Sequence, residues 1–272
     1  MNLHKLILTQ NDCYKTGKKI TVKGIMVHST GAPNTELRRY VGPDDGLLGK
    51  NQYNNHWNMG GLNVCVHAFI GTLKDGSVAT YQTLPWNHRG WHAGSGSKGS
   101  ANNTHISFEI CEDSLKNATY FGKVYQEAVE LCAYLCKEYN LDPMADGVLI
   151  DHSEGCKRGI ASNHGDVKHW FPKFGKSMDT FRKDVNALVK AEKPKEEDPT
   201  ARFSVSKWGV YTVTPQVGLW LRSGASTSEP TIELMKYGSK VICYGFYNGD
   251  WYMVASESGK VGFCHSDYLK KS

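Results

Sequence analysis

Apolar residues in the first two thirds of the chain switch between two periods. Lys23–Thr30 (KGIMVHST) sets Ile25 and Val27 on one face of a strand, and in Val64–Ile70 the residues Val64, Val66, Ala68 and Ile70 share a face. His105–Ile110 alternates again, with Ile106, Phe108 and Ile110 opposite His105, Ser107 and Glu109. This is the period of a half-buried strand. Gly147–Asp151 predicts a short apolar strand ending just before His152. Between the last two strands, Val124, Ala128, Leu131, Cys132, Leu135 and Tyr139 recur at helical spacing and give one apolar stripe. A second helix is predicted from about Ser177 to Val189, with Ser177 as its cap and Met178, Phe181, Val185 and Leu188 facing inward. Strands with helices between them predict an α/β layer structure.

The pattern breaks at Lys190–Arg202 (KAEKPKEEDPTAR), which has two prolines, charges of both signs and no apolar residue larger than alanine. It reads as a linker. Beyond it, Tyr211–Val213, Leu219–Arg222, Lys240–Tyr244, Trp251–Ala255 and Val261–His265 are short strands separated by turn residues such as Asn248-Gly249 and Ser258-Gly259. Five short strands in so little chain predict a small all-β barrel. The expected organisation is a domain at 1–190, a linker at 191–202 and a β domain at 203–272.

Composition narrows the function classes. With 40% hydrophobic and 22% charged residues, the chain of 272 can bury a sizeable core. A net charge of +5 with no dense Lys/Arg run argues against nucleic acid as a partner and suits an anionic polymer. Met1–Asp12 lacks the features of a signal peptide, and no stretch approaches a membrane-spanning length. The expectation is therefore cytosolic synthesis and no membrane anchor. The eight cysteines form no CxxC pair, which excludes a cysteine zinc ribbon. They are expected to be buried thiols rather than a disulfide framework. The i,i+4 pair Cys132 and Cys136 belongs to, or borders, the apolar stripe of its helix.

Three of the eleven histidines stand where strands open onto loops or shortly after: His28 in VHST, His152 in IDHSEG and His164 in SNHGD. Three such imidazoles could give zinc three nitrogens and leave a fourth position for water. In order along the chain come VHSTG, GWHAG at Gly90–Gly94, HISFEIC at His105–Cys111, and the late DHSEG…SNHGD block. Together these motifs resemble the zinc-type N-acetylmuramoyl-L-alanine amidases, the family of phage endolysins, bacterial autolysins and peptidoglycan-recognition proteins. The likeness runs from about Lys19 to Val189.

The resemblance implies a mixed central sheet flanked by helices, with His28 and His152 as the first two zinc ligands. The third ligand in this family is a Cys, Asp or His a short way downstream. His164 is favoured here, with Asp166 as the alternative ligand or as a brace for the loop. Glu109 matches the catalytic acid, and the chemistry asks for a carboxylate there: zinc brings a water near neutral pKa, and a neighbouring carboxylate can take its proton and return it to the leaving amine. Glu112 and Glu154 are the competing carboxylates. His67, Trp91 and His92 are candidates for the substrate groove, and no residue is assigned to stabilise the oxyanion.

In the β domain, VGLWLRSGA at Val217–Ala225, the GDWYMV run at Gly249–Val254 and GFCHSDYL at Gly262–Leu269 resemble the bacterial SH3-like domains that follow many wall hydrolases. Taken together, the resemblances imply a Zn2+-dependent peptidoglycan amidase with a wall-binding tail. Its expected setting is a phage or prophage endolysin of a Gram-positive host, held in the host cytoplasm until a holin releases it to the cell wall. The alternatives are a non-catalytic peptidoglycan-binding protein of the same fold and a Cys–His endopeptidase of the wall cross-bridge.

Overall fold

The computed structural model describes residues 1–190 and 202–272. The expected linker therefore lies, apart from Arg202, outside the described residues. The chain divides into two compact units, one ending at Ala191 and one beginning at Glu192. Each unit has its own sheet and its own core.

The first unit is built on six strands: β1 (Leu3–Lys5), β2 (Gly24–Pro33), β3 (Ala68–Thr72), β4 (Val78–Gln82), β5 (His105–Glu112) and β6 (Leu149–Asp151). They lie in the order β1-β4-β3-β5-β2-β6. Only the β3–β4 pair is antiparallel, so the sheet is mixed. The alternation seen in the sequence sorts its two faces. After the short helix α1 (Asp12–Lys15), Ile25, Val27, Ala68, Ile70, Ile106, Phe108 and Ile110 pack on one side against α2 (Ala118–Glu138) and α4 (Met178–Lys190). The opposite residues, among them His28, Ser107 and Glu109, are left for the other side. Asn117 caps α2 by accepting from Tyr120 N, and Ser177 accepts from Thr180 N at the start of α4, as expected.

Two glycines shape the strand that carries the first histidine. A Cβ on Gly24 would lie 2.5 Å from the carbonyl of Val148, so β6 can approach β2 only over a bare backbone. Gly31 has φ +61, and there β2 slips out of register with β5 between Ser29 and Pro33.

The pattern-based expectations differ from the structure in three places. The strand expected at Val64–Ile70 starts only at Ala68. Its first part is extended but bridges a loop instead, through Cys65 and Trp91. The short strands β1 and β4 carry too few residues to stand out by period. In the second unit, β7 (Phe203–Val213), β8 (Leu219–Arg222), β9 (Thr231–Met235), β10 (Lys240–Asn248), β11 (Trp251–Ala255), β12 (Val261–His265) and β13 (Leu269–Lys271) form a single seven-stranded antiparallel sheet. Its strands β9 and β13 were not expected. The outer part of β7 is mostly exposed, so alternation of buried and polar residues does not announce it.

Candidate metal centre

His28, Glu109 and His152 reach one place because three adjacent parallel strands end there. His28 lies near the end of β2 and is register partner to Glu109 on β5. His152 follows β6 directly, as the first residue of α3 (His152–Lys157). Asp151 caps that helix, while Glu154 bonds back to the Asp151 backbone, which fixes where His152 starts. The carboxyl ends of parallel strands are where α/β sheets gather ligands.

Three side chains converge there. Nδ1 of His152 is 3.2 Å from Nδ1 of His28 and 3.0 Å from Oδ2 of Asp166, and His28 Nδ1 is 3.6 Å from Asp166 Oδ1. These are the separations expected of ligands on a tetrahedral zinc, where bonds of about 2.0–2.1 Å place neighbouring ligand atoms about 3.3 Å apart. The far ring nitrogens have partners of their own: His28 Nε2 lies 3.1 Å from Nδ1 of His92, and His152 Nε2 lies 3.3 Å from Ser162 Oγ. If those far nitrogens carry the protons, two imidazole lone pairs and a carboxylate meet head-on. A cation reconciles them, and the outer hydrogen bonds are those that orient metal-binding histidines. Asp166 Oδ2 is buried without a hydrogen bond, which fits the same reading. The residues present thus fit a dication held by His28, His152 and Asp166.

The expectation of His164 as third ligand is not met by this geometry. Its ring centroid is 4.6 Å from that of His152, but its Nδ1 turns to Ser162 Oγ at 3.1 Å, and the side chain stands at the exposed rim. Asp166 takes the inner position because the chain turns sharply there, with φ +43 at Asp166 itself.

Electrostatics follow from burial. Burial pushes His28 below its ordinary value against the pull of Asp166, which keeps the imidazole in the neutral, ligating form. Burial would raise Asp166; with the proton on a facing Nδ1 instead of a far nitrogen, a bond from His152 or His28 would hold the carboxyl well below the usual range. Burial, with the charges of Asp166 and Glu112, raises Glu109 well above the ordinary carboxyl value, and its Oε2 is buried without a partner.

The two rival carboxylates are committed elsewhere. Glu154 pairs with Arg182 at 2.9 Å besides bracing the α3 cap. Glu112 accepts from Ser29 Oγ at 2.5 Å, from Gly31 N at 3.2 Å and from His169 Nε2 at 3.1 Å. Sequence reasoning gave Ser162 and His169 no role. The only signal for either was its place in the same SNHGDVKHW block.

Of the groove candidates, Trp91 and His92 line a cleft of about 610 Å3 that also holds His28, Glu109, His152, His164, Asp166 and His169. His67 does not. It is fully buried, its Nδ1 accepts from Ser107 N at 3.0 Å and its Nε2 donates to the His88 carbonyl at 2.8 Å. Burial lowers it to about 4, so it is a neutral core histidine. It points to the same face as Glu109, but the loop through Trp86 and His88 covers it. The far wall of the cleft is apolar, formed by Trp57, Val64, Val66 and Trp91.

All eight cysteines are free thiols, and seven are buried. Burial raises Cys111 and Cys132 well above the usual thiol value, the opposite of what a nucleophile needs. No helix among the described residues is long and apolar enough to cross a membrane.

Comparison with known proteins gives matches for both units. Residues 218–270 match the bacterial SH3 domain family. The N-acetylmuramoyl-L-alanine amidase CwlH of Bacillus subtilis (strain 168) is 32% identical over 136 residues, 43% of this chain and 52% of CwlH. The chain thus spans about half the length of that curated relative. Among solved structures, PlyL is 18% identical with a TM-score of 0.47, covering 68% of this chain and 96% of PlyL. The Staphylococcus aureus hydrolase AmiA is 18% identical with a TM-score of 0.46, covering 69% of this chain and 82% of AmiA. Residues 18–169, more than half of the chain and inclusive of every residue of the cleft, match the N-acetylmuramoyl-L-alanine amidase family, and the chain belongs to that family.

Proposed function

We propose that the chain hydrolyses the amide bond between N-acetylmuramic acid and the L-alanine of the stem peptide in peptidoglycan. The observation that carries this reading is the convergence of His28, His152 and Asp166 next to the unpartnered Oε2 of Glu109. Zinc held by those three residues supplies a Lewis acid for the amide carbonyl and a water acidic enough to attack near neutral pH.

The chain's own groups do the rest. Glu109 takes the proton of the attacking water at Oε2 and delivers it to the leaving nitrogen. Its tendency to hold a proton, raised by burial, suits the delivery. His164, on the rim beside His152, is placed to donate to the oxyanion as the carbonyl becomes tetrahedral. The apolar wall of Trp57, Val64, Val66 and Trp91 suits the lactyl and alanine methyls and a sugar face, and His92 Nε2 is a buried donor without a partner.

The second unit holds the chain to the wall, and the setting is a phage or prophage lytic enzyme acting on a Gram-positive host after a holin opens the membrane. Purified protein would be assayed for zinc and incubated with peptidoglycan while new amino groups and new reducing ends are counted. The reading requires bound zinc and L-alanine amino groups without reducing ends. Reducing ends would mean a glycosidase, and a zinc-free, inert protein a binding module.

A further inference from the structure

Glu112 takes no part in the chemistry above, yet it is 3% exposed and receives three hydrogen bonds beside the site. Two come from Ser29 Oγ and Gly31 N, on the stretch where β2 leaves its register immediately after His28. The third comes from His169, the last residue of the short 3-10 turn Asp166–His169. One buried carboxylate thus ties the backbone just past His28 to the turn that presents Asp166.

That turn needs holding. Asp166 has φ +43, in the left-handed region that Asp enters more readily than most non-glycine residues but still less readily than the ordinary helical or extended regions. Inside the turn the backbone bonds run from Lys168 N to Gly165 O and from Trp170 N to Val167 O, and neither uses Asp166. The contact from Ser29 N to Asp166 Oδ1 is long, at 3.5 Å. Val167 and Trp170 anchor the apolar side of the turn in the core. On its polar side, His169 bonds to Glu112.

We propose that the Glu112–His169 pair is a clamp that positions Asp166 for metal binding, a role that rests on the metal reading above. His169 is a positioning residue. Its side chain is 43% exposed at the cleft, so removing it leaves the core intact.

The test measures zinc affinity of the full chain by competition with a chelator, together with KM at saturating zinc. Loss of an outer partner of a metal ligand weakens metal binding by about 10–100-fold. His169→Ala should show that loss with KM unchanged, and His169→Gln, whose amide can still donate to Glu112, should recover most of it. Unchanged zinc affinity in His169→Ala, with or without a raised KM, overturns the clamp; a raised KM would make His169 a substrate contact. A His169→Gln variant as weak as His169→Ala overturns the hydrogen bond as the cause. A wild type that binds no zinc brings down the metal reading and the clamp together, whereas zinc-bound wild type with an unaffected His169→Ala brings down the clamp alone.

Discussion

His28 and Glu109 are register partners on neighbouring parallel strands, with Phe69 next in line on β3. Their spacing is therefore set by the backbone ladder of the sheet rather than by a loop. Sites held by strands keep the tolerances that proton transfer needs. It also means that a substitution at Glu109 can change the chemistry without moving the histidines.

Glu109→Gln should keep zinc and lose activity by about 10²–10⁴-fold, the usual contribution of a positioned acid–base group. Zinc content and turnover measured on the same preparation check this. Loss of zinc along with activity would make Glu109 a ligand instead of a proton carrier.

The same substitution should change the pH dependence of stability. Burial raises Glu109 in the folded state, so its contribution is fully present below the unfolded carboxyl value of about 4.3. It is lost as pH rises through the folded value. The Tm of metal-free Glu109→Gln should therefore rise relative to that of metal-free wild type as pH climbs from the carboxyl range towards neutrality. Melting curves of both proteins after chelator treatment decide it. Parallel profiles would mean that Glu109 is not desolvated as the geometry requires.

Asp166 and His164 should separate by phenotype. Asp166→Ala removes a proposed ligand and should weaken zinc binding beyond the about 10–100-fold typical of outer partners. His164→Ala should hold zinc normally and lower kcat by about 10²–10³-fold, the range for a lost oxyanion donor. If the two phenotypes exchange, His164 is the ligand and Asp166 the brace.

That ambiguity marks where the sequence stops being informative. Alternation placed Glu109 opposite Phe108 and Ile110, and strand ends placed His28 and His152, because period and register are local properties. The choice between residues 164 and 166 depends on a left-handed turn at Asp166, and no period encodes such a turn. His67 shows the converse failure. Alternation with Ala68 puts it on the same face as Glu109, but the loop through Trp86 and His88 that covers it is a tertiary matter. Glu112 and His169 are 57 residues apart, and nothing in either segment announces the other.

His67→Ala should act on stability alone. It leaves Ser107 N and the His88 carbonyl without their partner inside the core and opens a cavity. The cost should be about 2–4 kcal/mol. Chemical denaturation measures the loss, and the folded protein should keep its zinc and its kcat/KM within a few-fold. A large drop in kcat/KM without loss of stability would return His67 to the groove.

The second unit offers a separate prediction. Its sheet borders a cleft of about 480 Å3 lined by Leu219, Trp220, Arg222, Trp251, His265 and Tyr268. Trp220 is 44% exposed there, although its neighbours Leu219 and Leu221 are buried, so its indole contributes little to the core. Trp251 packs edge-on against His265 at 5.4 Å, which holds that wall of the cleft in shape. Large aromatics at the centre of a cleft dominate binding, and truncating one typically costs about 2 kcal/mol or more, roughly 30-fold in affinity. Trp220→Ala should therefore weaken sedimentation of the protein with purified walls by about that factor. Turnover of a soluble muropeptide should stay unchanged, because the proposed catalytic groups all lie in the first unit, which has its own core. Unchanged sedimentation would move wall recognition out of this cleft, and a loss of soluble turnover would mean that the two units do not work independently.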